Sequence, residues 1–387
     1  MAFSTIQGSG GAPDSFVGTS GVDSIVFEGN TNNFFLGAQE ANDYIGFDNV
    51  GALQTGTYTN GTLRGGAGSD NFQDLAFGVN IVSSWLNGNS DDDTFGSNVT
   101  GLRLISSTLQ GGQGDDTMFV NGASNSLFNG NKDDDTLAFT GVITASTIGG
   151  GQGDDTLTQA AGSSMTGTSL LLGDGVDTFA QAAGALATDF GAGNTIEGGD
   201  GNDTITLLAT TAADAVINGG AGTDAISAGA GDDTLNGGAG NDAITGFNGA
   251  DTMTGGGGAN AFIYTTVAQS GNVTTGAVDV ITDFTTGTDT IDQSGAFTID
   301  GAQIGTGLTA VTATTYAGAL AAVNALAAAA ADSFAVVAVG SGSSFTSYLM
   351  GMAAGAAVDF AVQIGETGAY ATAAQAQAAF AGTDFTA

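Results

Sequence analysis

The residues with chemistry to offer are aspartates set among glycines. One phrase, Gly-Gly-x-Gly-x-Asp followed by any residue and a large apolar one, runs from Gly65 (GGAGSDNF) and returns from Gly111 (GGQGDDTM), Gly150 (GGQGDDTL), Gly198 (GGDGNDTI), Gly219 (GGAGTDAI) and Gly237 (GGAGNDAI). Looser copies begin at Gly18, Gly88, Gly130, Leu172, Ala228, Gly246 and Gly255. Glycine opens the left-handed backbone region to a tight turn and lets carbonyl oxygens converge; an Asp closing the turn adds a carboxylate. Oxygen donors of these two kinds suit a hard divalent cation, calcium above all. The candidate ligating positions are Gly65, Gly68 and Asp70; Asp93; Gly111, Gly114 and Asp116; Asp135; Gly150, Gly153 and Asp155; and Asp177. They continue with Gly198, Gly201 and Asp203; Gly219, Gly222 and Asp224; Gly231 and Asp233; Gly237, Gly240 and Asp242; and Asp251. At Gly88 and Gly130 the second and fourth glycines give way to Asn and Asp, the other residues that tolerate left-handed geometry, so these turns are expected to form as well.

Composition narrows the alternatives. The chain of 387 residues holds 39 Asp plus Glu against three basic residues, Arg64, Arg103 and Lys132, for a formal charge of −36. Nucleic acid and anionic membrane surfaces are bound chiefly through Lys and Arg, so neither is an expected partner. With no His and no Cys, triads of the Ser-His-Asp or Cys-His kind, the usual zinc sites and disulfides are excluded. No Gly-x-Ser-x-Gly elbow occurs, and the expectation is a protein that is not an enzyme. The longest apolar stretch, 317–331, is Ala-rich and too short to span a bilayer, and residues 1–5 lack the basic and apolar regions of a secretory leader.

The elements that must hold these turns follow from the residues after each Asp. The x-U-x triplet has the period of a short strand, its central apolar residue pointing inward, so turn and strand make half a rung of a solenoid. The inward stack would comprise Phe72, Phe95, Met118, Leu137, Leu157, Phe179, Ile205, Ile226, Leu235, Ile244, Met253 and Phe262. From Gly219 copies start every nine residues, which places turns on both edges; upstream the aspartates are spaced by roughly twenty, which predicts metal turns on one edge and irregular loops on the other. Asn260 is expected to close the metal ladder, while Asp23 and Asp43 extend it at the other end, with Asp14 opposite. The fold class is therefore all-β, a right-handed parallel β-roll or β-solenoid with a small C-terminal α/β or β cap. The expected division is 1–60, irregular rungs that cap or extend the solenoid or serve assembly; 61–264, the repeats; and 265–387, the C-terminal cap. In that cap, strands are expected at 297–304, 333–339, 345–350 and 357–364, and helices at 316–331 and 371–380. Stacked turns call for on the order of ten calcium ions, enough to cancel roughly half the formal charge.

These motifs resemble the RTX (repeats-in-toxin), hemolysin-type calcium-binding proteins of Gram-negative bacteria. The resemblance extends into Val278–Phe284 and Gly287–Asp292, and the ending Thr383–Ala387 is similar to the family's C-terminal type I secretion signal. It implies export by type I secretion machinery and folding outside the cell, in a secreted or cell-surface setting. Because repeats make up most of the chain, the closest character is that of RTX-containing surface-layer proteins. The implied role is a calcium-dependent structural protein that assembles with itself into a layer or filament, with cell-surface polysaccharide as a further partner and no membrane insertion. The alternative is a secreted monomeric adhesin, or an ice- or polysaccharide-binding solenoid using Thr-rich faces. A regular density of outward Thr would favour it.

Overall fold

The computed structural model describes residues 2–7, 15–28, 31–32, 35–48, 57–74, 80–97, 102–182, 190–272, 274–285, 288–293, 311–313, 316–318, 320–321, 333–341, 344–352, 360–366 and 385–386. They fall into two compact units, Met1–Thr204 and Ile205–Ala387. Each is a parallel β-solenoid.

In the first unit a rung is made of two strands lying on opposite faces. One face is built from short strands of six residues, Thr62–Ala67, Trp85–Ser90, Thr108–Gln113, Leu127–Lys132, Thr147–Gln152, Ser169–Asp174 and Thr195–Asp200. They stack in parallel without slippage, Leu63 on Leu86 on Leu109 on Phe128 on Ile148 on Leu170 on Ile196. Alternation explains the register: those residues are fully or almost fully buried, their neighbours face out, and a slip of one would expose the whole column. The opposite face carries Phe72, Phe95, Met118, Leu137, Leu157 and Phe179, each fully buried. Phe72 and Phe95 stack with centroids 4.6 Å apart. The inward column read from the sequence is thus the core, in both units; the short-strand column beginning at Leu63 is its other half.

The edge opposite the metal-type turns departs from the expectation of irregular loops. It is a regular turn in which a left-handed residue precedes Gly61 (Asn60) or a serine (Ser83, Ser106, Asn125, Ala145). Ser84, Ser107, Ser126 and Ser146 are buried there, and each accepts a backbone N–H of the preceding rung: Gly61 to Ser84 at 3.0 Å, Ser84 to Ser107 at 3.1 Å, Ser107 to Ser126 and Ser126 to Ser146 at 3.2 Å. Thr168 donates to Asn194 Oδ1 in the same way at 2.9 Å. From this turn to the next aspartate the count is constant at nine residues, Ser84 to Asp93, Ser107 to Asp116, Ser126 to Asp135, Ser146 to Asp155. All variation in rung length falls on the other face, where the strand breaks in two (Thr94–Phe95 and Leu102–Ile105) or bulges, as between Val120 and Gly122. A nine-residue half-rung therefore runs through the whole first unit, hidden because its second turn ends in Ser rather than Asp.

The second unit keeps the eighteen-residue rung on both edges. Val216–Ala221, Thr234–Ala239 and Thr252–Gly257 form one face; Ala225–Ser227, Ala243–Thr245 and Ala261–Tyr264 form the other. The rungs do not stop at the glycine repeats. Ala277–Phe284 pairs with Thr252–Gly257, Thr290–Gln293 pairs with Ala261–Tyr264, and Phe385–Thr386 adds a strand beside Thr290–Gln293. An antiparallel hairpin, Ser333–Ser341 with Ser344–Met352, continues to Phe360–Glu366, which lies parallel to Ala277–Phe284. The described C-terminal residues are thus mostly strand, with 316–318 and 320–321 helical. Most of the expected helix at 316–331, and all of 297–304 and 371–380, lie outside the described residues, as does Asp14.

Candidate metal centre

The turn conformations follow the glycines. At the second and fourth positions φ is positive, as at Gly112 (135°) and Gly114 (108°), and a Cβ there would strike the carbonyls of the preceding rung. Asn89 (85°), Asp91 (70°), Asn131 (86°) and Asp133 (70°) adopt the same conformation in the two turns that lack these glycines. Asp91 and Asp133 also accept the N–H of Gly68 and Gly114 in the preceding rung, both at 2.9 Å, which compensates the strain. The turn beginning at Ala228 differs, since Gly229 and Gly231 are not in the positive-φ region.

The first glycine has a separate task. A Cβ at Gly65, Gly88, Gly111 or Gly130 would run into Oδ2 of the aspartate five residues later and into the carbonyl oxygen of the next rung's equivalent residue, Gly88, Gly111, Gly130 and Gly150 respectively. Two oxygens from adjacent rungs converge where a side chain would otherwise lie.

The aspartates form a buried ladder. Oδ1 of each accepts the backbone N–H of its counterpart one rung earlier: Asp23 to Asp43 at 2.6 Å, Asp43 to Asp70 and Asp70 to Asp93 at 2.7 Å, Asp93 to Asp116, Asp116 to Asp135 and Asp135 to Asp155 at 2.8 Å, Asp155 to Asp177 at 2.7 Å and Asp177 to Asp203 at 2.9 Å. The second unit has two such ladders. Asp224 donates to Asp242, Asp242 to Asn260 and Asn260 to Asp289; on the other edge Ala215 donates to Asp233, Asp233 to Asp251 and Asp251 to Asp279. The N–H ladder runs on through Asn260, because an amide oxygen accepts the N–H as a carboxylate does. Asp279 and Asp289, in the segment after the repeats, are ladder members that glycine spacing did not mark.

The second oxygen identifies the site. Oδ2 of Asp43, Asp70, Asp93, Asp116, Asp135, Asp155, Asp177, Asp242 and Asp251 is buried and has no hydrogen-bond partner. Burial, partly offset by the accepted N–H and reinforced by neighbouring carboxylates, pushes these acids up, Asp93 and Asp135 to about 8, Asp70, Asp116, Asp155 and Asp251 to about 7 and Asp177 to about 6. A buried carboxylate oxygen facing a carbonyl oxygen repels unless a proton or a cation lies between. Among the described residues no three acidic side chains form a metal-holding group, so one carboxylate per turn must be completed by main-chain carbonyls. That is the donor chemistry of calcium, and the residues present fit it. Asp233 differs: its Oδ1 accepts Ala215 N–H and its Oδ2 accepts Gly229 N–H at 3.2 Å, in the turn whose first position carries the Cβ of Ala228, and Oδ2 of Asp23 and Asp289 likewise accept the N–H of Thr19 and Thr285.

A second ladder lies outside the first and went unread in the sequence. Asp92, Asp115, Asp134 and Asp154 each precede a buried aspartate, or in the last case Asp155, and accept an N–H from the following rung: Asp115 to Asp92 at 3.0 Å, Asp134 to Asp115 at 3.1 Å, Asp154 to Asp134 and Val176 to Asp154 at 2.8 Å. The Asp-Asp doublets were its signal. At the end of the glycine array, Asp283 takes the N–H groups of Gly255 and Gly256 on its two oxygens, at 2.8 and 2.7 Å.

Fold and site together define a calcium-binding parallel β-solenoid whose turns cross-link successive rungs. The family model of the RTX calcium-binding nonapeptide repeat matches four stretches of the chain, residues 106–127, 190–209, 211–235 and 227–261. The turns at Gly65, Gly88, Gly130 and Gly150 lie outside those stretches and share their geometry. The search of curated proteins found no match. These repeats are structural and metal-binding rather than catalytic, and the architecture is consistent with an extracellular structural protein. No helix among the described residues is long and apolar enough to cross a membrane.

Proposed function

We propose that this protein is an extracellular, calcium-stiffened structural subunit that assembles with itself into a surface layer or filament. The observation that carries the reading is the unbroken stacking of buried carboxylates, Asp23 through Asp203 in the first unit, in which the unpaired second oxygens of Asp43 through Asp177 make the compact rung dependent on bound cations. In this reading the ligating set is the buried aspartates and turn carbonyls at the positions named from the sequence, with Asp43 and Asp279 added. Calcium concentration outside a cell is sufficient for such a ladder, and inside it is not, so the chain would fold after export; type I secretion is the route the sequence resemblance implies. Electron microscopy of the purified chain in about 5 mM calcium and in excess chelator tests the assembly. Ordered sheets or filaments that disappear with chelator are expected. Monodisperse folded rods in calcium would overturn self-assembly as the role.

One observation favours the second reading, a binding solenoid. Thr94, Thr117, Thr136, Thr156 and Thr178 stand in register on neighbouring strands of one face, each exposed or half-exposed. Strand spacing sets such hydroxyls about 4.8 Å apart, a regular array for ice or a polysaccharide. Binding of monodisperse protein to those ligands, lost when Thr117 and Thr136 are replaced by bulky charged residues, would move the assignment there.

A further inference from the structure

Besides the turns at Ala38 and Ala228, whose first position carries a Cβ, two turns of the glycine array have a cradle that is not open to a cation. One is at Leu172. In the turn LGDGVDTF the backbone is intact: Gly173 and Gly175 have φ of 129° and 139°, and Asp177 Oδ1 accepts Asp155 N–H at 2.7 Å. The first position, however, is leucine. Along Ser169–Asp174 the burial alternates, Leu170 in, Leu171 out, Leu172 in, so its side chain enters the place that Gly65, Gly88, Gly111 and Gly130 leave free for the two oxygens. Its carbonyl still points at the cradle of Gly150, so the preceding site keeps its donor. None of the stretches matched by the repeat family includes residues 172–177.

The other is at Asn260. Its Oδ1 accepts Asp242 N–H at 3.0 Å, which fixes the amide orientation, since a flip would set donor against donor. Nδ2 is thereby aimed into the cradle of Gly255, where the other turns present Oδ2, and it is buried without a partner. An N–H donor there turns a cation away.

We propose that, beyond the turns at Ala38 and Ala228, the calcium ladder has two further blank positions, set by Leu172 and Asn260, and that Leu172→Gly and Asn260→Asp each create one calcium site. This rests on the calcium reading of the other turns. It removes Asp177 from the ligating set that spacing alone assigns, and it means that the two rungs are held by apolar packing and by the N–H ladder rather than by metal.

The test is the number of ions bound per chain, by native mass spectrometry of the full-length protein with added calcium and by equilibrium dialysis with radioactive calcium. Each variant is expected to bind one ion more than wild type, the double variant two more, and Leu172→Ala, which removes bulk but keeps Cβ, none. Loss of a buried leucine threatens folding, so Asn260→Asp, close to isosteric, carries the test alone if Leu172→Gly does not fold in calcium. Unchanged counts in folded Asn260→Asp and Leu172→Gly, with calcium bound to wild type, would overturn the blanks while leaving the ladder standing. A wild-type chain that binds no calcium would overturn the ladder and the blanks together, so the wild-type count separates the two failures.

Discussion

At the scale of single residues, a metal-type turn carries a buried carboxylate that is unfavourable unless a proton or a cation meets it, and the two can be separated by substitution. Asp135 is pushed up to about 8 by burial and by Asp116 and Asp155, while its Oδ1 holds Asp116 N–H. Asp135→Asn keeps an acceptor for that N–H and removes the charge. In calcium it should cost stability, about 1–3 kcal/mol for the lost ligand. In chelator, where the ionised carboxylate is uncompensated, the same change should raise the pH at which the β structure is lost. Calorimetry in calcium and circular dichroism against pH in chelator check the sign reversal; a loss in both would mean that the carboxylate is not the metal-dependent group. Gly111 makes the complementary point, because only hydrogen fits between its backbone and the oxygens of Asp116 and Gly130. Gly111→Ala should lower the calcium-bound melting temperature by several degrees, on the order of 2 kcal/mol, and weaken calcium binding, measured by calorimetric titration.

At the scale of elements, the first unit has a charged edge and an uncharged one. Ser107 sits where Asp251 sits on the corresponding edge of the second unit, with the same nine-residue distance to the next turn's ladder residue, Asp116 or Asn260. Its hydroxyl accepts Ser84 N–H, and its own N–H donates to Ser126 Oγ. It in turn donates to Ile81 or Ile105 carbonyl, at 3.0 and 2.9 Å. A hydroxyl is both donor and acceptor and so needs no cation. Ser107→Ala should therefore lower stability by about 1–3 kcal/mol without changing the number of bound ions, and the loss should be equal at 1 mM and 10 mM calcium by thermal denaturation. A reduced ion count would contradict the division of edges. The same comparison explains what could be read in advance. The aspartate ladder was legible because glycine is required wherever φ is positive and a carbonyl approaches, which leaves a spaced motif. The serine ladder was not, because its left-handed position accepts Asn60, Ser83 or Ala145, and Ser84 and Ser107 look like ordinary loop residues without the register that stacks them. Asp279 and Asp289 escaped for the same reason: a pairing between rungs, not a local glycine pattern, assigns them.

At the scale of the whole molecule, the charge of −36 and the buried aspartates act together on stability. The ladder aspartates from Asp43 to Asp177 have folded-state pKa values raised above the unfolded value of 3.8, to about 6 for Asp177 and about 8 for Asp93. A carboxyl raised in this way favours the folded state when protonated. Its contribution is fully present below pH 3.8 and is lost as pH rises through 6 to 8. Protons and calcium thus satisfy the same oxygens. In chelator the chain should lose its β structure at pH 8 and regain it on acidification towards pH 4, whereas in millimolar calcium it should stay folded across that range. Binding of calcium at pH 7 should release protons, more than one per chain, because several of the acids with raised pKa values are partly protonated before the metal enters. Circular dichroism against pH, with and without chelator, and titration calorimetry in buffers of different ionisation enthalpy measure the two effects. A chelated chain that unfolds further on acidification, with no protons released by calcium, would mean that repulsion among the exposed outer acids, rather than the buried ladder, controls folding.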